Sequence, residues 1–157
     1  MNFDIEDTFK EKLYECGKHI EKIKISKKYL AKNMPLSKDI YLNLSDIDMS
    51  FIDQLIFRFS KLQDTIGEKI FPFILILTKE EVKKKTFIDI LNRLEELEIV
   101  DKVKWLKLRE IRNDIAHEYS FNTDEVVDSI VAIYNSSDEL VSIYQKVYEF
   151  CEKKSLV

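Results

Sequence analysis

Apolar side chains recur along almost the whole chain at intervals of three, four and seven residues, the spacing that lines up one face of an α-helix. The pattern predicts five helices, over residues 3–32, 49–77, 87–100, 102–119 and 124–152. Pro72 lies inside the second of these and should kink or interrupt it near Phe71, because proline lacks the amide hydrogen that a helix interior needs.

Polar links separate the predicted helices, and within the first link residues 40–44 alternate as a short strand could. Side-chain oxygens able to accept hydrogen bonds from the free amides of a first helical turn precede several of the helices. These candidate caps are Ser45 or Asp46, Thr86, Asp101, and Asn122 or Thr123. Together, the helices and links predict an all-α protein with one domain over residues 1–157, folded as an antiparallel bundle of four to five helices.

The scarcity of glycine and proline favours the same fold class. The chain of 157 residues contains two of each, where average usage would supply about eleven glycines and about eight prolines. A P-loop or a G-x-G-x-x-G loop needs clustered glycines, and a sandwich or barrel of many short strands needs more turn residues. The composition therefore excludes these nucleotide-binding loops and an all-β fold.

Cysteine and histidine are equally scarce. The four residues concerned (Cys16, His19, His117 and Cys151) show no metal-ligand spacing, so the sequence predicts neither a metal site nor a cofactor. Both cysteines fall at apolar positions of the helical pattern. We expect them to be reduced core residues, since two cysteines near opposite ends do not make a disulfide framework.

The N-terminus and the charge pattern indicate a cytoplasmic protein without membrane contact. The first residues are charged and lack the apolar stretch of a signal peptide, and the longest apolar run, residues 70–77, is far too short to span a bilayer. The net charge of −4 argues against non-specific coating of nucleic acid but is compatible with a local basic site. The lysines of the first helix are expected to form a solvated face.

Candidate chemistry is concentrated in residues 105–119 (WLKLREIRNDIAHEY), which hold the only tryptophan, two of the four arginines and one of the two histidines. At 100° per residue, the core stripe of this helix carries Leu108, Ile111 and Ile115. The arc beside it carries Arg109, Arg112, Asn113, Ala116 and His117, with Tyr119 at its border. Such an arc suits an interface helix that faces its symmetry mate, with Glu110 and Asp114 interleaved between the cations.

Arginine beside histidine suits cleavage of RNA by its own 2′-hydroxyl group. An imidazole can take the hydroxyl proton or protonate the leaving 5′-oxygen, and a guanidinium matches the phosphate and stabilises charge that develops in the transition state. Asn113 lies four residues before His117, so its amide could fix the tautomer of the imidazole. One chain offers one such histidine, and a two-fold dimer would provide the second proton transfer.

The pattern Arg112-Asn113-x-x-x-His117-x-Tyr119 resembles the R-x4-H-x-Y signature of the HEPN superfamily, and within it the HepT-like toxins. Residues 51–71 (FIDQLIFRFSKLQDTIGEKIF) are also similar to the second helix of that family, with Arg58 and Asp64. The resemblance covers most of residues 49–150.

The resemblance implies a metal-independent endoribonuclease toxin of a type VII-like toxin–antitoxin pair, acting as a homodimer with the site across the two-fold. Arg112 and His117 would be the catalytic pair with Asn113 in support, and Arg109 and Lys107 would contribute weaker RNA binding. It also implies a partner, an MNT-type nucleotidyltransferase antitoxin that transfers AMP from ATP to Tyr119. The alternatives are a non-catalytic, substrate-binding helical subunit of a nucleotidyltransferase, and an unrelated helical bundle.

Overall fold

The helices predicted from the apolar spacing are present in the computed structural model, which describes residues 2–115 and 121–157. Their bounds are α1 (Asn2–Leu30), α2 (Lys38–Leu42), α3 (Asp46–Thr65), α4 (Phe71–Leu77), α5 (Phe87–Glu96), α6 (Lys102–Asp114) and α7 (Thr123–Lys153). A 3₁₀ turn (Ala31–Asn33) follows α1, and a π-helical turn (Ile66–Ile70) joins α3 to α4. These residues contain no strand, so the all-α prediction is confirmed. Within the same ranges, no helix is both long enough and apolar enough to span a membrane.

The predicted caps begin four of the helices. The side chains of Ser45, Thr86, Asp101 and Asn122 accept hydrogen bonds from first-turn amides of α3, α5, α6 and α7. Thr86 forms a reciprocal pair, because its own amide donates to the Asp89 carboxylate at 3.0 Å while the Asp89 amide donates to Thr86 Oγ1 at 3.2 Å. Local sequence therefore sets where these helices start.

Two segments differ from the sequence prediction. Residues 40–44, which alternate as a strand could, contribute to the short helix α2 instead, because Ser37 caps it and the helix packs against α7. The third predicted helix ends at Glu96 and not at residue 100. Glu98 has a positive φ of 60° that closes the helix, while the following Ile99 and Val100 are still buried and so continue the apolar pattern. The helix predicted over residues 102–119 is present as α6 (Lys102–Asp114), and the last part of that prediction, residues 116–119, lies outside the described residues.

Pro72 interrupts the second predicted helix, as expected. It lies in the first turn of α4, and the chain widens into the π-helical turn immediately before it. This turn presses Gly67 against the indole of Trp105 on α6. A Cβ added at Gly67 would lie 3.0 Å from Cζ2 of Trp105, so this glycine is required by close packing.

The core lies between α1 and α3, which run along each other, with α7 packed against α3 and α6. Cys16 and Cys151 are buried in this core and unbridged, which confirms the prediction of reduced core cysteines. Burial raises the pKa of each thiol to about 12, so both remain protonated and unreactive at neutral pH.

Replacing each of the two glycines by alanine should change the free energy of unfolding in opposite directions. Gly67→Ala should lower the free energy of unfolding by about 1 kcal/mol, because overpacking against buried Trp105 outweighs the gain in helix propensity. Gly17→Ala, in the middle of α1, should raise it by about 0.5–1 kcal/mol, since no described atom lies within 4 Å of the added Cβ. Urea denaturation followed by circular dichroism measures both. Equal effects of the two substitutions would contradict the packing assigned to Gly67.

Candidate functional site

Arg112 is held by a carboxylate on a different helix. Its Nε donates to Oδ1 of Asp64 at 3.2 Å and its Nη2 donates to Oδ2 at 3.1 Å, which joins α6 to the end of α3. The two side chains are 28% and 32% exposed. A two-bond contact of this kind fixes the plane of the guanidinium. Arg112 is therefore a cation at the surface whose guanidinium is oriented by Asp64.

The Asp64–Arg112 pair lies on the wall of a cleft of about 570 Å³ between α2, α3, the end of α6 and the first turns of α7, which we call the Arg112 cleft. Its polar lining consists of Asp53, Ser60, Lys61, Asp64 and Arg112, and its apolar lining includes Tyr41, Phe57, Val126 and Ile130. The residues from α3 follow one another at helical spacing. A concave surface that combines apolar walls with a fixed guanidinium is suited to an anionic ligand that also carries apolar groups.

The two arginines predicted to share one arc of the helix over residues 102–119 contact two different helices. Arg112 faces α3, whereas Arg109, three residues earlier, lies with Cζ 4.5 Å from the ring centroid of Phe87 on α5. Asn113 and Lys107 are exposed, and neither lines the Arg112 cleft. Arg109 therefore lies outside the lining of the Arg112 cleft, and its weaker role in RNA binding remains a prediction. About 60° of rotation separates the two arginines, and a different helix packs on each side.

The remaining predicted site residues, Ala116, His117 and Tyr119, lie outside the residues that the structure describes. The catalytic role of His117 and the modification of Tyr119 therefore remain predictions, as does the two-fold interface through Arg109, Ala116 and His117. Glu110 and Asp114, which were expected in that interface, are exposed on α6.

The sequence motif pointed to only one of the residues that α2 and α3 contribute to the Arg112 cleft, namely Asp64. Asp53, Ser60 and Lys61 lie beside the buried stripe of α3, seven and one residues apart, so that they fall on one face of the helix. A polar stripe of this kind is common on solvent-facing helices. It becomes informative only once α6 is known to cross α3 beside it.

A second polar contact joins α1 to α3. Nη1 of Arg58 lies 3.1 Å from Nδ1 of His19. Because a guanidinium only donates hydrogen bonds, Nδ1 accepts and the neutral ring carries its proton on Nε2. Burial, followed by the charge of Arg58, lowers the pKa of His19. Glu15 opposes this shift, and Lys61 adds the smallest lowering effect.

Acidification should therefore destabilise the fold through His19. The folded state prefers the neutral imidazole, so its contribution is complete above the ordinary pKa near 6.5 and is lost as pH falls below that value. We expect the free energy of unfolding to fall more steeply between about pH 7.5 and about pH 5 than in His19→Asn, whose amide oxygen still accepts from Arg58 but does not titrate. Urea denaturation at several pH values measures this difference. The same pH dependence in the parent protein and in His19→Asn would contradict the role given to His19.

No protein-family model, curated protein or solved structure matches this chain. Among residues 2–115 and 121–157, no group of three or more histidine, cysteine, aspartate or glutamate side chains is placed to hold a metal ion.

Proposed function

We propose that this protein is a metal-independent endoribonuclease, the toxin of a type VII-like toxin–antitoxin pair, and that it acts as a homodimer. The observation that carries the proposal is the oriented guanidinium of Arg112, clamped by Asp64 on the wall of a cleft. This arginine stands five positions before His117 in the pattern that resembles the HEPN signature.

The Asp64 clamp leaves room for a substrate phosphate. It uses Nε and Nη2 of Arg112, and the remaining N–H groups of the guanidinium can bind a non-bridging phosphate oxygen. Because the guanidinium is already oriented, stabilising the transition state would require little reorganisation. Lys61, on the same cleft wall, adds a second cation for the substrate backbone.

His117 provides the proton transfers in this proposal. One imidazole removes the proton of the 2′-hydroxyl group, the 2′-oxygen attacks phosphorus, and the bond from phosphorus to the 5′-oxygen breaks as that oxygen is protonated. The products are a 2′,3′-cyclic phosphate and a 5′-hydroxyl group. His117 of a second copy would act as the acid, which is why the proposal includes a dimer.

The test is cleavage of single-stranded RNA by the purified protein in the presence of a chelator. We expect products with 2′,3′-cyclic phosphate ends and a dimer in sedimentation at micromolar concentration. Products with 3′-hydroxyl ends, or activity that the chelator abolishes, would contradict the chemistry. A stable chain that binds a nucleotidyltransferase but cleaves no RNA would favour the non-catalytic subunit instead.

Tyr119 is the proposed site of regulation. Transfer of AMP to its phenol by the antitoxin would place a phosphodiester anion beside Arg112, where the RNA phosphate would bind. After co-expression with the antitoxin, intact-mass spectra should show AMP increments that disappear in Tyr119→Phe. Tyr14→Phe is the matched control, because Tyr14 is 67% exposed on α1 and should leave the increments unchanged. Increments that persist in Tyr119→Phe would place the modification elsewhere.

A further inference from the structure

Phe57 is an exposed aromatic residue in the middle of α3. Its side chain is 51% exposed, although the nearby Leu55 and Phe59 are fully buried in the core. About half of the apolar area of Phe57 stays in water, so folding of the single chain uses only part of this side chain. The exposed half of the ring is left for a ligand.

Two cations lie over the ring of Phe57 at the distance of a cation–π contact. The guanidinium carbon of Arg58 lies 5.4 Å from the ring centroid and Nζ of Lys61 lies 5.8 Å from it. His19 holds Arg58 in place through the 3.1 Å contact. An aromatic face bordered by positive charge suits a ligand that has both flat rings and anionic groups.

The ring is also part of the Arg112 cleft. Phe57 lines the same cavity as Lys61 and Arg112, and it precedes Asp64 by two helical turns, about 10 Å along α3. Asp53 lies one turn before Phe57 on the cleft wall. The carboxylate of Asp64, on the other side of Phe57, is paired with Arg112. Phosphate groups are therefore expected on that side, towards Lys61 and Arg112 on the cleft wall and Arg58 beside the ring.

We propose that Phe57 is a stacking platform for an unpaired base of single-stranded RNA, with Lys61 and Arg58 contacting the phosphates beside that base. The proposal rests on the proposed ribonuclease function and narrows its substrate to single strands, whose bases are free to stack on an aromatic side chain. Every base has a flat π face, so the platform binds a base without selecting its identity.

A protein partner fits this surface less well. A second copy that used the same patch would bring Arg58 and Lys61 of both chains together, and like charges brought close across an interface oppose association. An apolar partner would have to strip water from the same cations. A polyanion is instead attracted by Arg58 and Lys61.

The experiment measures fluorescence anisotropy of a labelled RNA of about eight nucleotides in which every 2′-hydroxyl group is O-methylated. This substrate lacks the nucleophile, so binding is measured without cleavage. Phe57→Ala should weaken binding by about fivefold to a hundredfold, whereas Phe57→Trp should retain it. Ile88→Ala, which removes another exposed apolar side chain, should leave binding unchanged.

An abasic strand of the same length distinguishes base stacking on Phe57 from phosphate binding by the cations. Phe57→Ala should not change its affinity, because only the phosphates remain to be bound. Equal losses for the two strands, no binding of either strand by the parent protein, or a change of oligomeric state in Phe57→Ala would each overturn the platform.

The same experiment distinguishes the platform from the ribonuclease. Base-dependent binding through Phe57, in a protein that cleaves no unmodified RNA, would support the platform and reject the enzyme. Efficient cleavage by a Phe57→Ala variant that binds the methylated strand as tightly as the parent would reject the platform and leave the enzyme intact.

Discussion

Replacing Arg112 by alanine should lower the rate of RNA cleavage by about a hundredfold to ten-thousandfold, and His117→Ala should have an effect of similar size. Arg112→Ala removes the proposed phosphate-binding donor, and His117→Ala removes the proposed acid and base. Arg112→Lys should also be impaired, because an ammonium group keeps the charge but cannot reproduce the two-bond contact with Asp64.

Arg109→Ala is the matched control for this prediction. Arg109 lies on the same helix and carries the same charge, but it contacts Phe87 and not the Arg112 cleft. It should weaken RNA binding modestly and in a salt-dependent way, as should Lys107→Ala, with no loss of the chemical step. A folded His117→Ala dimer that is as active and as toxic as the parent would reject the enzyme.

Arg112→Ala also affects stability, because Arg112 forms an ion pair with Asp64. Arg112 lies beside the core stripe of α6, and its loss leaves Asp64 without this partner. Because both side chains are about 30% exposed, water can hydrate the carboxylate, and the cost should be about 1 kcal/mol or less. Asp64→Asn, which keeps Arg112 but loosens its orientation, should reduce the rate without reducing the amount of folded protein.

Replacing Trp105 by alanine should lower the free energy of unfolding by about 3–5 kcal/mol. The indole is fully buried, it packs edge-on against Phe71 with ring centroids 4.6 Å apart, and it fills the space left by Gly67. The loss should therefore be one of the largest for any single residue.

Trp105→Phe distinguishes the contribution of the indole's volume to stability from that of its polar N–H group. The indole Nε1 is buried and has no hydrogen-bond partner in the described part of the chain, so phenylalanine removes an uncompensated polar group while keeping part of the volume. We expect it to cost clearly less than alanine. Since this is the only tryptophan, urea denaturation has to be followed by circular dichroism. A loss of less than about 1 kcal/mol in Trp105→Ala would contradict the packing described.

The sequence by itself determined the longer helices and where four of them begin. A cap such as Thr86 or Asp101 acts within three residues of itself, and the core stripe of α6 repeats every three to four residues, with Leu108 and Ile115 buried as predicted. These features depend on interactions within one helix, which periodicity records directly. Pro72 acts in the same local way.

Only the tertiary structure decided which polar side chains meet. Asp64 and Arg112 are 48 residues apart, and Arg58 meets His19 over 39 residues. The same helix-face pattern that grouped Arg109 with Arg112 did not indicate that α5 packs on one side and α3 on the other. Helical periodicity fixes the angle of a side chain around its own axis, whereas contacts between helices depend on how those axes cross and how far each helix is rotated.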